Sequence, residues 1–143
     1  MYTIQISPQP APRPRAGKIR SFNPENYTKY KEGLIEHLSK LDIPKDDYRG
    51  ITAVFYMPYD ITVKDKDRVN AFHVKTPDWD NISKPLLDAL QQAGIIKNDS
   101  RIAFAVISKV TTPKLRGRIG FTLHTEENTK SLLDLLGIDA LKD

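Results

Sequence analysis

The chain has 143 residues, 39% hydrophobic and 28% charged, which is enough for one soluble globular domain with a real core and short for two. It holds no cysteine, excluding disulfides and thiolate metal sites and fitting a reducing cytoplasm, and no apolar run nears the roughly 18 residues of a membrane span. The net charge of +4 is uneven: Arg13, Arg15, Lys18 and Arg20 cluster without an acid, and Lys97, Arg101, Lys109, Lys114, Arg116 and Arg118 share their region with Asp99 alone, a distribution that suits a phosphate backbone.

Met1 to Ile6 lacks the charged leader and long apolar core of a signal peptide. Tyr2 to Ser7 alternates apolar and polar residues, as a half-buried first strand does. Residues 8–22 then carry Pro8, Pro10, Pro12 and Pro14 among arginines, a density that favours an extended arm able to lay Arg13, Arg15, Lys18 and Arg20 along phosphates. Asn23-Pro24-Glu25 starts a helix, with a cap, a proline at the first helical position and an acid suited to the dipole. Tyr27, Tyr30, Leu34, Leu38 and Leu41 continue it at helical spacing to about Leu41, both tyrosines facing the core.

Gly50 to Met57 alternates as a second strand, ended by Pro58. Tyr59 to Pro77 reads as a long charged loop bordering a site, with His73 surface or structural. Ile102–Val110 and Leu115–His124 read as two strands joined through Thr112-Pro113-Lys114 into a hairpin. Its apolar side would hold Leu115, Ile119, Phe121 and Leu123, and its basic side Arg116, Arg118, Thr122 and His124. Residues 125–143 form a tail with a short amphipathic helix broken at Gly137; its partner, if any, is not legible. The order strand, helix, strand, helix, strand, strand predicts a single small α/β or α+β domain over residues 1–124, with one mixed sheet and helices packed on it.

Between these elements lies the stretch with chemistry. Ile82, Leu86, Ala89, Leu90 and Ala93 form the apolar stripe of a helix that should begin near Asn81, because Pro85 belongs near a helix start, and that stops at Gly94. Asp78 and Asp80 stand at its mouth, Lys84 in its first turn and Asp99 beyond its end. Carboxylates so placed are hard oxygen ligands of the kind Mg²⁺ takes alongside substrate phosphate. An isolated Asp-x-Asp would be read as helix capping, and Lys84 as a partner of Asp80 or Asp88. Asp88, about 12 Å from Asp80 by helical rise, is not assigned to metal but to contact with Lys84.

The full string Asp-x-Asp-Asn-x-x-Lys-x-x-x-Asp-Ala-Leu, a glycine, and Asp five residues later resembles the RusA family of Holliday junction resolvases, and His73-Val74-Lys75-Thr76-Pro77 resembles the family's approach to it. The resemblance implies a homodimeric crossover junction endodeoxyribonuclease that needs Mg²⁺, with Mn²⁺ an alternative, and cuts four-way DNA by paired nicks. By position it implies Asp78, Asp80 and Asp99 as metal ligands and Lys84 as the essential lysine. A four-way junction needs two nicks related by two-fold symmetry, which fits a symmetric dimer. Two departures stand out: Asn98 where many members carry an acid, and Trp79 where a smaller aliphatic residue is common.

The expected DNA contacts are Arg13, Arg15, Lys18, Arg20, Lys75, Arg116 and Arg118. The cell would be bacterial, in some cases phage-infected. Two other classes compete: a non-catalytic basic module that binds DNA junctions, and a nucleotide-metal transferase, which the lack of a Gly-rich phosphate loop disfavours.

Overall fold

The longest strand, β2 (Tyr48–Tyr59), lies inside the sheet and organises it. Its alternation sends Ile51, Ala53, Phe55 and Met57 to one face, where all four are buried. The computed structural model describes residues 1–12, 24–59, 71–135 and 137. Around β2 stand β1 (Tyr2–Ile4), β3 (Phe104–Pro113) and β4 (Arg118–Thr125), in the order β1-β4-β2-β3. β4 runs antiparallel to both β1 and β2, whereas β3 runs parallel to β2, so the sheet is mixed.

Among the described residues three α-helices complete a small α+β domain: α1 (Pro24–Ser39), α2 (Trp79–Gln92) and α3 (Glu126–Leu135). Leu34 and Leu38 of α1 and Ile82, Leu86, Ala89 and Leu90 of α2 join β2 and β4 side chains in one core. Truncating one of them, such as Leu86→Ala, would cost about 2–5 kcal/mol by opening a cavity. Tyr30 is buried there and Tyr27 half-buried, its ring 5.6 Å from the Lys31 ammonium, so both aromatics serve packing.

β3 and β4 do not form the expected hairpin, because β2 lies between them. The parallel β2–β3 pair needs a long crossover, which residues 60–103 supply with α2 on the covered face, while β4 pairs with the free side of β2. Gly50 allows this close fit, since a Cβ there would lie 2.0 Å from the Phe104 ring. Leu115 does not share the apolar face: it sits in the connecting turn at φ +71° and is 93% exposed, whereas Ile119, Phe121 and Leu123 are buried as expected.

β1 stops at Ile4 rather than Ser7, and β2 runs to Tyr59, one residue past Pro58. The tail helix spans Glu126–Leu135, with Gly137 at φ +72° after it. The arm residues Arg13, Arg15, Lys18 and Arg20, the centre of the 59–77 loop and the end of the tail lie outside the described residues.

Candidate active site

The site begins where α2 begins. Asp78 is the N-cap residue, extended at φ −64° and ψ 152°, and its carbonyl accepts from the Ile82 amide at 3.0 Å. Its carboxylate makes no capping bond, which leaves the side chain to other partners. Asp80, in the first turn, accepts from the Asn81 amide at 2.9 Å. Both acids are exposed at the end of the helix where the backbone dipole favours negative charge.

The helix starts at Trp79, two residues before the expected Asn81, and so places Pro85 in its interior. A proline there lacks the N–H that would bond the carbonyl four residues back. That carbonyl, on Asn81, instead accepts from the Ala11 amide at 3.0 Å. Ala11 is buried, so the segment leading into the arginine-bearing arm is fixed beside Asp80.

The chain approaches the acids along the outer edge of β3. His73 N–H donates to the Lys109 carbonyl at 2.8 Å and Thr111 N–H to Ala71 at 2.9 Å. Lys109, on the helix side of β3, donates its ammonium to the carbonyls of Lys75 at 2.8 Å and Pro77 at 2.6 Å. Burial, then the charges of Lys109 and Lys75, hold the His73 imidazole below its ordinary pKa, so it is a neutral structural group here. Lys75 is exposed beside the acids, 5.7 Å from the Tyr59 ring.

Along α2, Asp80, Lys84 and Gln91 share the solvent-facing stripe. Lys84 is exposed one turn from Asp80 and forms no ion pair among the described residues. Asp88 does not take the expected contact with Lys84; its carboxylate lies 3.9 Å from the Lys31 ammonium of α1, since it points to the side of α2 that meets α1.

Asp99 opens a 3₁₀ turn, Asp99–Arg101, past the far end of the helix, where its amide donates to the Gln91 side chain at 3.1 Å. Eleven residues of helical rise separate Asp80 from Gln91, about 16 Å. Asp78 and Asp80 thus stand two residues apart at the start of α2, with Asp99 past its far end. Among the described residues no three acidic or imidazole side chains converge on one metal position. A pair of exposed carboxylates still fits Mg²⁺, which commonly binds through one or two carboxylates and completes its shell with water and phosphate. Asn98, the departure noted above, caps the 3₁₀ turn by accepting from the Ser100 amide at 3.0 Å. Arg101 in turn is held by Asp47, its Nη2 2.5 Å from the carboxylate.

Residues 5–121, which include this whole arrangement, match the family model described as Endodeoxyribonuclease RusA. The chain belongs to the RusA endodeoxyribonuclease family. No curated protein matches the chain. The match ends within β4, so α3 lies beyond the RusA portion.

The basic residues sort by position. Arg116 is exposed in the turn between β3 and β4, at the same end of the sheet as the start of α2. Arg118 is only half-exposed, its guanidinium stacked 3.8 Å over the Tyr56 ring on the sheet face opposite α2. Lys109 escaped sequence reasoning as a site residue, because a lone lysine in a strand carries no motif; its odd position among the apolar residues of the covered face was the available clue.

Proposed function

We propose that this RusA-family chain is a Mg²⁺-dependent endonuclease that resolves Holliday junctions by paired symmetric nicks, acting as a homodimer in DNA recombination and repair. The observation that carries the reading is the Asp78–Asp80 pair, exposed at the mouth of α2 with Lys84 one turn along the same face. Two carboxylates repel a phosphodiester, so this mouth accepts DNA only with a divalent cation between them, Mg²⁺ or Mn²⁺. The bound ion would supply Lewis-acid polarisation of the scissile phosphate.

The chain's own residues do the rest. Asp78 and Asp80 would hold the cation; Asp99, past the far end of α2, is the third carboxylate that the resemblance to the family implies. Lys84 sits where it can neutralise charge gathering on the phosphoryl oxygens or give a proton to the leaving 3′ or 5′ oxygen. Lys75, Arg116 and the arm cations Arg13, Arg15, Lys18 and Arg20 grip backbone phosphates, and Arg118 adds to them from the far sheet face.

The test is a synthetic four-way junction and a matched linear duplex, each with Mg²⁺ or chelator, for the wild-type chain and Asp80→Asn. Paired nicks in the junction alone, dependent on metal and lost in the variant, are expected. Tight junction binding without cutting under any metal would assign the chain to the non-catalytic binding class instead.

A further inference from the structure

Leu115 stands where a leucine gains nothing from the fold. It is the third residue of the turn Pro113–Arg116, which the Arg116 amide closes by donating to the Pro113 carbonyl at 3.1 Å. Its φ of +71° is the left-handed conformation that such a turn requires at this position, and that glycine or asparagine adopts at least cost. A leucine there strains the backbone, and at 93% exposure it recovers none of that strain by burial.

The turn that carries this side chain is nevertheless firmly built. Arg118 Nη1 donates to the Arg116 carbonyl at 2.9 Å and to the hydroxyl of buried Thr112 at 3.4 Å, while its guanidinium lies 3.8 Å over the Tyr56 ring. On the other side Gly117 packs so closely on Ser7 that a Cβ there would lie 2.1 Å from the serine Oγ. Strain held on a stiff support, at an exposed tip, marks a side chain kept for something outside the chain.

Chemistry selects the occupant. Lys114 and Arg116 flank the leucine, and no acid occurs between Ser100 and Thr125. A specific protein interface needs roughly 1,000 Å² of contact, which one side chain cannot supply. One apolar wedge is enough to enter a base step of DNA and unstack it, with cations on either side to hold the phosphates. The position suits this. Lys109 of β3 holds the Pro77 carbonyl just before Asp78, and the turn begins at Pro113, about 13 Å farther along the strand, the length of about four base pairs. Ser7, against which the turn rests, leads to Ala11 and its bond with Asn81 of α2.

Resting on the endonuclease reading above, we infer that Leu115 is a wedge that enters a base step near the branch point of a DNA junction and so favours branched over linear DNA. Unstacking costs least where stacking is already interrupted, as at a branch point, and most within continuous duplex. Leu115 is thus a specificity residue and takes no part in bond breaking.

The test reads base stacking directly. Four-way junctions carrying 2-aminopurine at successive positions of one arm are saturated with Asp80→Asn chains that hold Leu115, Leu115→Asn or Leu115→Met. Fluorescence should rise at one step with leucine or methionine and stay at the level of free DNA with asparagine. In an otherwise wild-type chain, Leu115→Asn should melt about 2–5 °C higher, because asparagine suits the turn. It should also nick the junction about 10-fold more slowly and lose about 10-fold of the preference for junction over duplex. Equal fluorescence with leucine and asparagine, no bright step in a complex whose parent chain nicks, or a lower melting temperature for Leu115→Asn would each overturn the inference. A chain that binds and opens junctions but never cuts them would support the wedge and overturn the metal chemistry alone. A chain that neither binds nor cuts them would overturn the endonuclease reading, and this inference with it.

Discussion

The ammonium of Lys109 donates to the carbonyl oxygens of Lys75 and Pro77, at 2.8 and 2.6 Å, and so grips the backbone immediately before Asp78. Hydrogen bonds from a cation to neutral acceptors are among the stronger ones, and two from one donor fix the direction in which the chain enters α2. The lysine is a positioning residue: it touches the segment that leads into Asp78.

Lys109→Met keeps the aliphatic stem and removes both bonds. It is expected to lower Mn²⁺ affinity about 10- to 100-fold, the range seen when groups that orient metal ligands are removed. Lys109→Arg should restore part of that affinity, which a purely packing role would not predict. The same Lys109→Met change takes a positive charge from beside His73, so the imidazole pKa should rise toward its ordinary value, as NMR titration would read. An unmoved His73 together with unchanged Mn²⁺ affinity would reject the role.

Pro85 offers a second prediction, because its missing N–H is what leaves the Asn81 carbonyl for Ala11. Pro85→Ala supplies a competing helical donor. The Ala11 amide should then lose protection from hydrogen exchange, while the amides of the α2 interior gain it. In the proposed role of the cations that follow Ala11, junction affinity should fall and depend less steeply on salt. If Ala11 keeps its protection, the proline does not secure the Ala11–Asn81 contact.

Much of the fold was legible because its elements obey simple periods. The stripe from Ile82 to Ala93, the alternation of Ile51 to Met57 and the turn at Gly94, which sits at φ +76°, could be read residue by residue. Strand pairing could not. Thr112-Pro113-Lys114 looks like a hairpin turn locally, and only the burial of β2 between β3 and β4 decides otherwise. Pro85 misled for a related reason: its cost in mid-helix is offset by a tertiary bond from Ala11, over seventy residues earlier. The acids at the mouth of α2 were visible as a motif, whereas the distance to Asp99 depends on helix length and direction, which a string of letters does not display.

Asp47 ties the turn after Asp99 to the start of β2, with Arg49 and Arg101 both 2.5 Å from its carboxylate. These guanidinium partners hold its carboxyl well below the usual carboxylate range. A depressed folded-state pKa adds stability that is present above the unfolded value, about 3.9, and fades as pH falls below it. Asp47→Asn should therefore flatten the pH dependence of thermal stability between about pH 4 and pH 2. It should also loosen the 3₁₀ turn, seen as faster exchange at the Arg101 and Ile102 amides, whose acceptors are Asn98 and Asp99. A melting curve against pH with the same slope in both proteins would show the clamp to be inert.

Lys84 separates chemistry from binding. It is exposed on α2 and, among the described residues, forms no ion pair, so Lys84→Ala should change stability by no more than about 0.5 kcal/mol. In the proposed role the ammonium matters most when charge builds on the phosphate during bond breaking, so its loss should fall on the cleavage step. Single-turnover nicking of a four-way junction is expected to slow by about 10²- to 10⁴-fold, with junction affinity within a few-fold of wild type. A loss of affinity equal to the loss of rate would make Lys84 a phosphate-gripping residue, the role proposed for Lys75. Cleavage at the wild-type rate would remove it from the site and leave the Asp78–Asp80 pair as the only part of α2 with a claim on the reaction.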